Sequence, residues 1–120
     1  MKKKLQKIKT KEKKYTIPLN IDERIEVCFN IKKGVVTHYS VALLLKLNGR
    51  WQDVKRCDNS HVGVAPHCHL YSYTEQGRKE AKIYLQGKPA DLLTALILDF
   101  KQHHGSIISN YKLSYEKSRR

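Results

Sequence analysis

Hydrophobic and polar residues alternate through residues 25–85, which is the two-residue period of half-buried β-strands. The first segment of this kind is apolar at Ile25, Val27, Phe29 and Ile31. Further segments occupy residues 35–47, 50–57, 67–73 and 81–85. The pattern therefore predicts five strands in a mainly antiparallel meander.

The first turn contains Gly34, and its length decides whether the apolar faces of the first two strands coincide. A two-residue loop pairs Ile31 with Val36 and sets the two apolar faces on opposite sides. A three-residue loop, Lys32-Lys33-Gly34, pairs Ile31 with Val35 and aligns the faces. We therefore predict the three-residue loop.

The second turn, Asn48-Gly49, is typical of a two-residue type I′ hairpin, because both residues tolerate a positive φ angle. This turn pairs Leu47 with Arg50. The same ladder, extended along the strands, pairs Leu43 with Val54, Val41 with Arg56 and Tyr39 with Asp58. The opposite face then carries Trp51, Asp53, Lys55 and Cys57.

The C-terminal segment has the spacing of an amphipathic helix. Pro89 suits the first helical turn, where its missing N–H costs nothing. Apolar residues then recur three and four positions apart, at Leu92, Leu93, Leu96, Ile97 and Phe100. The spacing continues to Tyr115, with Gly105 as a candidate stop, although residues 111–115 also fit a strand. We favour helix and predict an α+β fold, in which a long C-terminal helix or helix pair covers the apolar face of the sheet.

Composition adds a basic arm to this domain. The chain has 120 residues, of which 40% are hydrophobic, and a formal net charge of +13. Eight lysines fall within the first 14 residues, where they repel one another and bury little. We therefore expect residues 1–14 to be a disordered or frayed arm and residues 15–120 to form a single domain. The charge favours an anionic partner.

Several classes of protein do not fit. No apolar run approaches the roughly 18 residues of a membrane span, and no apolar stretch follows the basic N-terminus as in a secretory signal. The three cysteines show no C-x-x-C spacing, which favours reduced thiols. The glycines are scattered, so no phosphate-cradling loop or nucleotide cofactor is expected. We expect a soluble, cytoplasmic protein without a cofactor.

Polar side chains concentrate between residues 56 and 69. Three of the six histidines lie here, at positions 61, 67 and 69. On a strand, His67 and His69 project from one face while Cys68 points to the other. The pair suits acid–base catalysis, because histidine changes protonation near neutral pH. The alternative is a divalent-metal site made of His61, His67 and His69.

Nucleic acid is one candidate for the anionic partner. Lysine contacts phosphates without reading sequence, and exposed aromatic rings stack on bases. The candidate contacts are Lys2, Lys3, Lys4, Lys7, Lys55, Trp51 and Tyr71. The alternatives are that the lysine arm only aids solubility and that Trp51 packs against Lys46 across the hairpin.

The polar cluster also resembles a known family. Arg56, Asp58, Asn59 and His61 follow one another as R-x-D-N-x-H, one residue shorter than the pattern R-x-D-N-x-x-H, and Pro66, His67 and His69 form P-H-x-H. Both resemble the motifs of the TumE-like toxins of prokaryotic toxin–antitoxin pairs. The resemblance implies a small α+β protein encoded beside an antitoxin, able to arrest growth, with a ribonuclease-like activity.

The leading hypothesis is therefore an RNA-directed toxin that acts as a metal-independent nuclease. We expect His67 and His69 to serve, in either order, as general base and general acid, and Arg56 to stabilise the charge at phosphorus. Asp58 would orient one imidazole, and His61 completes the predicted site. Expected partners are RNA and a cognate antitoxin protein. The alternative is a non-catalytic basic module that binds nucleic acid or an antitoxin.

Overall fold

The computed structural model describes residues 10–59, 65–74 and 76–119, and the chain folds there as one antiparallel sheet backed by one helix. The strands are β1 (Thr10–Asn20), β2 (Glu23–Lys32), β3 (Val35–Leu47), β4 (Arg50–Asp58), β5 (His67–Thr74) and β6 (Gly77–Tyr84), and the helix is α1 (Pro89–Ser118). Each strand pairs with the next along the chain, so the sheet is an open six-stranded meander. The α+β class and the meander are confirmed.

The expected number of five strands is wrong, because β1 forms from lysine-rich sequence. Lys11, Lys13 and Lys14 pair with residues of β2 in an antiparallel ladder, although their side chains remain exposed. An edge strand is held by its backbone hydrogen bonds and needs little apolar burial. The predicted arm of residues 1–14 is therefore corrected over residues 10–14, and residues 1–9 lie outside the described part.

The first predicted turn is also corrected. Lys33 and Gly34 form a two-residue turn with φ angles of 52° and 76°, which pairs Lys32 with Val35. A β-bulge at Thr37 then shifts the register by one residue. The bulge aligns the apolar faces, which is the result that the three-residue loop was expected to achieve. The predicted turn at Asn48-Gly49 is confirmed, with Leu47 opposite Arg50.

One helix of 30 residues replaces the alternative of a helix pair. The helix runs through Gly105 and includes residues 106–117, for which helix was favoured over strand. Gly105 costs about 1 kcal/mol relative to alanine in a helix, which packing on both sides can outweigh. Within the described residues, no helix is both long enough and apolar enough to cross a membrane.

The hydrophobic core lies between α1 and one face of the sheet, called here the helix face. The side opposite α1 is called the open face. The helix contributes Leu93, Leu96, Phe100, Ile108 and Tyr111, and the sheet contributes Ile25, Val27, Tyr39, Val41, Leu43, Leu45, Val54, Cys57 and Cys68. From Tyr39 onward the odd-numbered residues of β3 therefore face α1, as the sequence pattern predicts. Before the bulge at Thr37 the order is reversed: Val36 packs against the core and Val35 is exposed.

The ladder between β4 and β5 ends at the pair Lys55–Leu70, and beyond it two tyrosine side chains, one of them from α1, reach Gln52 of β4. The Tyr111 hydroxyl donates to the Gln52 side-chain oxygen at 2.6 Å, and the Tyr73 hydroxyl donates to the same oxygen at 3.0 Å. Burial raises the pKa of Tyr111 well above its usual range. This polar contact fixes the register of the helix over the sheet.

Replacing Leu96 with alanine tests how the helix docks. Leu96 is buried against the sheet, so Leu96→Ala should lower the free energy of unfolding by about 2–5 kcal/mol. Leu98 is 53% exposed on the same helix, and Leu98→Ala should cost less than about 0.5 kcal/mol. Chemical denaturation of both variants measures the difference. Equal costs would contradict the packing.

Candidate functional site

A β-bulge in β4 decides which side chains meet on the open face. Leu44 pairs with Asp53, but Leu43 pairs with Lys55, so Val54 is an extra residue in the ladder. Val54 is fully buried in the core. Because side chains alternate between faces, one extra residue exchanges the faces of everything that follows it.

The register predicted beyond Asn48-Gly49 is therefore wrong past Leu44. Val41 lies opposite Cys57 and Ser40 opposite Asp58, where the simple ladder paired Val41 with Arg56 and Tyr39 with Asp58. Two groups of side chains exchange faces as a result. Lys55 and Cys57 belong to the helix face, and Arg56 and Asp58 belong to the open face.

This exchange brings four of the predicted site residues together. Arg56 lies directly opposite His69, and Asp58 lies directly opposite His67, across β4 and β5. Directly opposed residues of an antiparallel pair have Cβ atoms about 5 Å apart. His61 lies outside the described residues.

The two imidazole rings of this group, called here the histidine pair, contact each other edge to face. Their Nε2 atoms are 3.1 Å apart, and the ring planes are inclined by 76°. His67 is only 3% exposed. Its Nδ1 lies 2.9 Å from the carbonyl oxygen of Ala65. A carbonyl only accepts, so Nδ1 of His67 carries the hydrogen of this bond.

Glu80 of β6 is a neighbour of the pair that the sequence analysis missed. Its carboxylate oxygen lies 3.0 Å from Nδ1 of His69, but out of line for a hydrogen bond. The β5–β6 hairpin sets Glu80 opposite Tyr71, two pairs along from His69 and Lys82 and therefore on the same face. Extending the ladder from the pair Thr74–Gly77 would have placed Glu80 opposite Tyr71, on the face of His69.

Arg56 is held in place by two residues of the open face. Its guanidinium donates Nε–H and Nη2–H to the two carboxylate oxygens of Asp53, at 2.8 and 3.1 Å. Nη1 donates to the Ser40 hydroxyl at 3.0 Å. The hydrogen bonds to Asp53 raise the pKa of Arg56 despite its partial burial. One N–H remains on each Nη atom for another acceptor.

The motif residue Asn59 has a structural role. Its side-chain oxygen accepts from the Tyr39 backbone N–H at 2.8 Å, and its amide donates to the Thr37 carbonyl at 3.0 Å. The side chain thus bridges the backbone groups that flank the bulge in β3. Next to it, burial and then the charge of Asp58 raise the pKa of the Tyr39 hydroxyl.

Two predicted aromatic contacts lie on the open face, each covered by an arginine. The Arg24 guanidinium lies 4.0 Å from the centre of the Trp51 ring, where packing against Lys46 was the alternative. The Arg78 guanidinium lies 4.0 Å from the centre of the Tyr71 ring. His69 stacks on Tyr71 with ring centres 6.2 Å apart.

Lys55 is misplaced by the sequence prediction, which set it beside the histidines. Its ammonium group lies under α1, 3.7 Å from an Asp99 carboxylate oxygen and 5.4 Å from the centre of the Phe100 ring. The bulge at Val54 is the physical reason, since it turns Lys55 to the helix face. The predicted contacts Lys2, Lys3, Lys4 and Lys7 fall outside the described residues.

The alternative metal site is not assembled from described residues. Across residues 10–59, 65–74 and 76–119, no three or more histidine, cysteine or acidic side chains are grouped to hold a metal ion. His67 and His69 bring two ring nitrogens together, but the proposed third ligand, His61, lies outside the described residues.

The expectation of reduced thiols is also corrected. Cys57 and Cys68 face each other across β4 and β5 and form a disulfide, and Cys28 remains free. The sequence analysis placed Cys57 on the open face, away from Cys68, because it lacked the bulge. The disulfide lies within the four-residue ladder that also pairs Arg56 with His69.

A family model described as Domain of unknown function (DUF7718) matches residues 9–119. No curated protein matches the chain, and no solved structure matches it.

Thiol titration tests the disulfide. In the denatured, unreduced protein one thiol per chain, that of Cys28, should react with the reagent. In the denatured, reduced protein three thiols should react. Replacing both Cys57 and Cys68 with alanine should lower the free energy of unfolding by about 2–4 kcal/mol, whereas Cys28→Ala should change it little. Three thiols without reductant would contradict the pairing.

Proposed function

The chain belongs to the DUF7718 family, a domain of unknown function. We propose that it is a ribonuclease that acts as the toxin of a toxin–antitoxin pair. One observation carries the proposal: two imidazole rings face each other through Nε2 atoms 3.1 Å apart, beside an arginine. The resemblance of the Arg56–His61 and Pro66–His69 segments to the motifs of TumE-like toxins supports the toxin role.

The hydrogen bonds of the histidine pair assign a proton to each ring. His67 donates its Nδ1–H to the Ala65 carbonyl, so the lone pair of neutral His67 is at Nε2, where it accepts a hydrogen bond. The bond between the rings is then donated by the Nε2–H of His69. When His69 is protonated at both nitrogens, its Nδ1 is 3.0 Å from a carboxylate oxygen of Glu80, whose negative charge stabilises the positive ring. His67 is therefore the base of the pair, and His69 is the acid.

This assignment gives a complete transesterification step. The step starts with His69 protonated at both nitrogens and with substrate in place of the hydrogen bond between the rings. The ribose 2′-hydroxyl then transfers its proton to Nε2 of His67, and the 2′-oxygen attacks phosphorus. The bond from phosphorus to the 5′-oxygen breaks, and that oxygen takes the Nε2 proton of His69. The products are a 2′,3′-cyclic phosphate and a 5′-hydroxyl. The nucleophile comes from the substrate, so no serine or cysteine is needed.

Arg56 suits the role of stabilising charge at phosphorus. It stands opposite His69, and its bonds to Asp53 and Ser40 fix the guanidinium plane before substrate arrives. A fixed donor stabilises developing charge without reorganising during the reaction. Asp58, opposite His67, and His61, outside the described residues, stay predictions for the same site.

The alternative function is a non-catalytic module that binds nucleic acid or an acidic antitoxin. The net charge of +13 favours an anionic partner in either case. Residues 10–14 belong to β1, so the test of the arm removes only residues 1–9. If this deletion abolishes RNA binding while the histidine variants bind normally and no variant cleaves RNA, the module is the correct function.

Loss of both histidines tests the nuclease. His67→Ala with His69→Ala should abolish cleavage of cellular RNA measured in EDTA, because base and acid are both removed, each contributing about 10²–10⁴-fold. His103→Ala is the matched control, since His103 lies exposed on α1 and its loss should leave cleavage unchanged. Full cleavage by the double variant would contradict the mechanism.

Glu80→Gln tests the acid separately. The amide keeps the size of the side chain but removes the negative charge beside Nδ1 of His69, so the turnover number should fall about 10-fold or more. The Michaelis constant should change little, because Glu80 faces the acid. Lys79→Gln, one residue away, is the control. An unchanged turnover in Glu80→Gln would contradict the role given to His69.

A further inference from the structure

A cleft of about 500 Å³ lies on the open face beside the histidine pair. Side chains from four strands line it: Lys14 and Thr16 from β1, Glu26 and Cys28 from β2, Ser40 from β3 and Arg56 from β4. Its volume is within the range of about 300–1,000 Å³ that small-ligand sites occupy.

The cleft is continuous with the histidine pair. Ser40 lies opposite Asp58, which lies opposite His67, in one row across the sheet. Arg56 lines the cleft and also stands opposite His69. A polymer lying on this face therefore reaches the histidine pair and the cleft at the same time.

The lining chemistry suits a nucleotide. Lys14 and Arg56 supply positive charge, and Ser40 supplies a hydroxyl. The Glu26 carboxylate, which also lines the cleft, is paired with Arg24 at 2.9 Å. Lys14 is paired with Glu12 at 3.2 Å, but both side chains are more than half exposed. Exposed ion pairs contribute little stability, so a phosphate can replace the Glu12 carboxylate at small cost.

We propose that this cleft holds one nucleotide of the RNA strand next to the scissile phosphate, with Lys14 contacting that nucleotide's outer phosphate. The inference rests on the proposed ribonuclease function, and its substrate class is single-stranded RNA. The experiments below measure binding without cleavage, so the two proposals can fail separately.

The chain offers a matched pair of lysines for the test. Lys14 pairs with Cys28, which lines the cleft on the open face. Lys13 pairs with Phe29, whose ladder partner in β3 is the buried Tyr39 of the helix face. Adjacent residues of a strand project to opposite faces, so the two lysines share charge and strand but not the cleft.

The first measurement is the affinity of the full chain for a 2′-O-methylated RNA oligonucleotide, which lacks the nucleophile, by fluorescence anisotropy. Lys14→Ala should weaken binding about 5–10-fold and reduce the slope of log affinity against log salt by about 0.7, the value for one phosphate contact on a single strand. Lys13→Ala should change neither. Equal effects of the two variants would overturn the proposal.

The second measurement uses Cys28, the free cysteine of the cleft. Saturating oligonucleotide should slow alkylation of its thiol by iodoacetamide at least about 5-fold, since bound ligand excludes solvent from the site. The variant lacking both histidines should show the same protection. Unchanged alkylation, or protection by polyglutamate but not by RNA, would overturn the nucleotide assignment. Absence of RNA cleavage by the unaltered protein would instead overturn the proposed function alone.

Discussion

The polar face of this sheet depends on one extra residue, Val54 in β4. Its side chain is fully buried against the core, so the bulge that contains it is stabilised by the hydrophobic effect. Past this point, Arg56 and Asp58 turn to the open face and meet the histidines of β5. The same shift turns Cys57 inward to meet Cys68. One local irregularity therefore sets both the candidate site and the disulfide beside it.

Charged side chains cover the apolar residues of the open face. Ala42 and Leu44 are buried although they project to this side. In the ladder, Leu44 lies between Arg24 and Asp53. Long charged side chains cover apolar neighbours with their aliphatic stems while keeping their charges in water. The arginines that cover this face also hold its polar groups in fixed positions, as Arg56 does through Asp53.

Most of the fold could be predicted from periodicity, and the failures have physical causes. Alternation identified the strands from β2 to β6, and three- and four-residue spacing identified the helix through Tyr111. β1 was missed because an edge strand held by backbone hydrogen bonds carries no apolar signature. Thr37 and Val54 were missed because a bulge is one ordinary residue in the sequence and becomes irregular only against a partner strand.

The sequence by itself determined which side chains are available for chemistry: two histidines two residues apart on one strand, preceded by an arginine and an aspartate. It also determined the α+β class, because the change from a two-residue to a 3.6-residue period is local. Only the tertiary structure decided which of these side chains share a face. That depends on registers between strands, and it brought Glu80 and Ala65 to the histidine pair and carried Lys55 away from it. The register between two strands depends on every residue from the turn onward. One bulge that the sequence does not reveal therefore reverses the face of every residue beyond it.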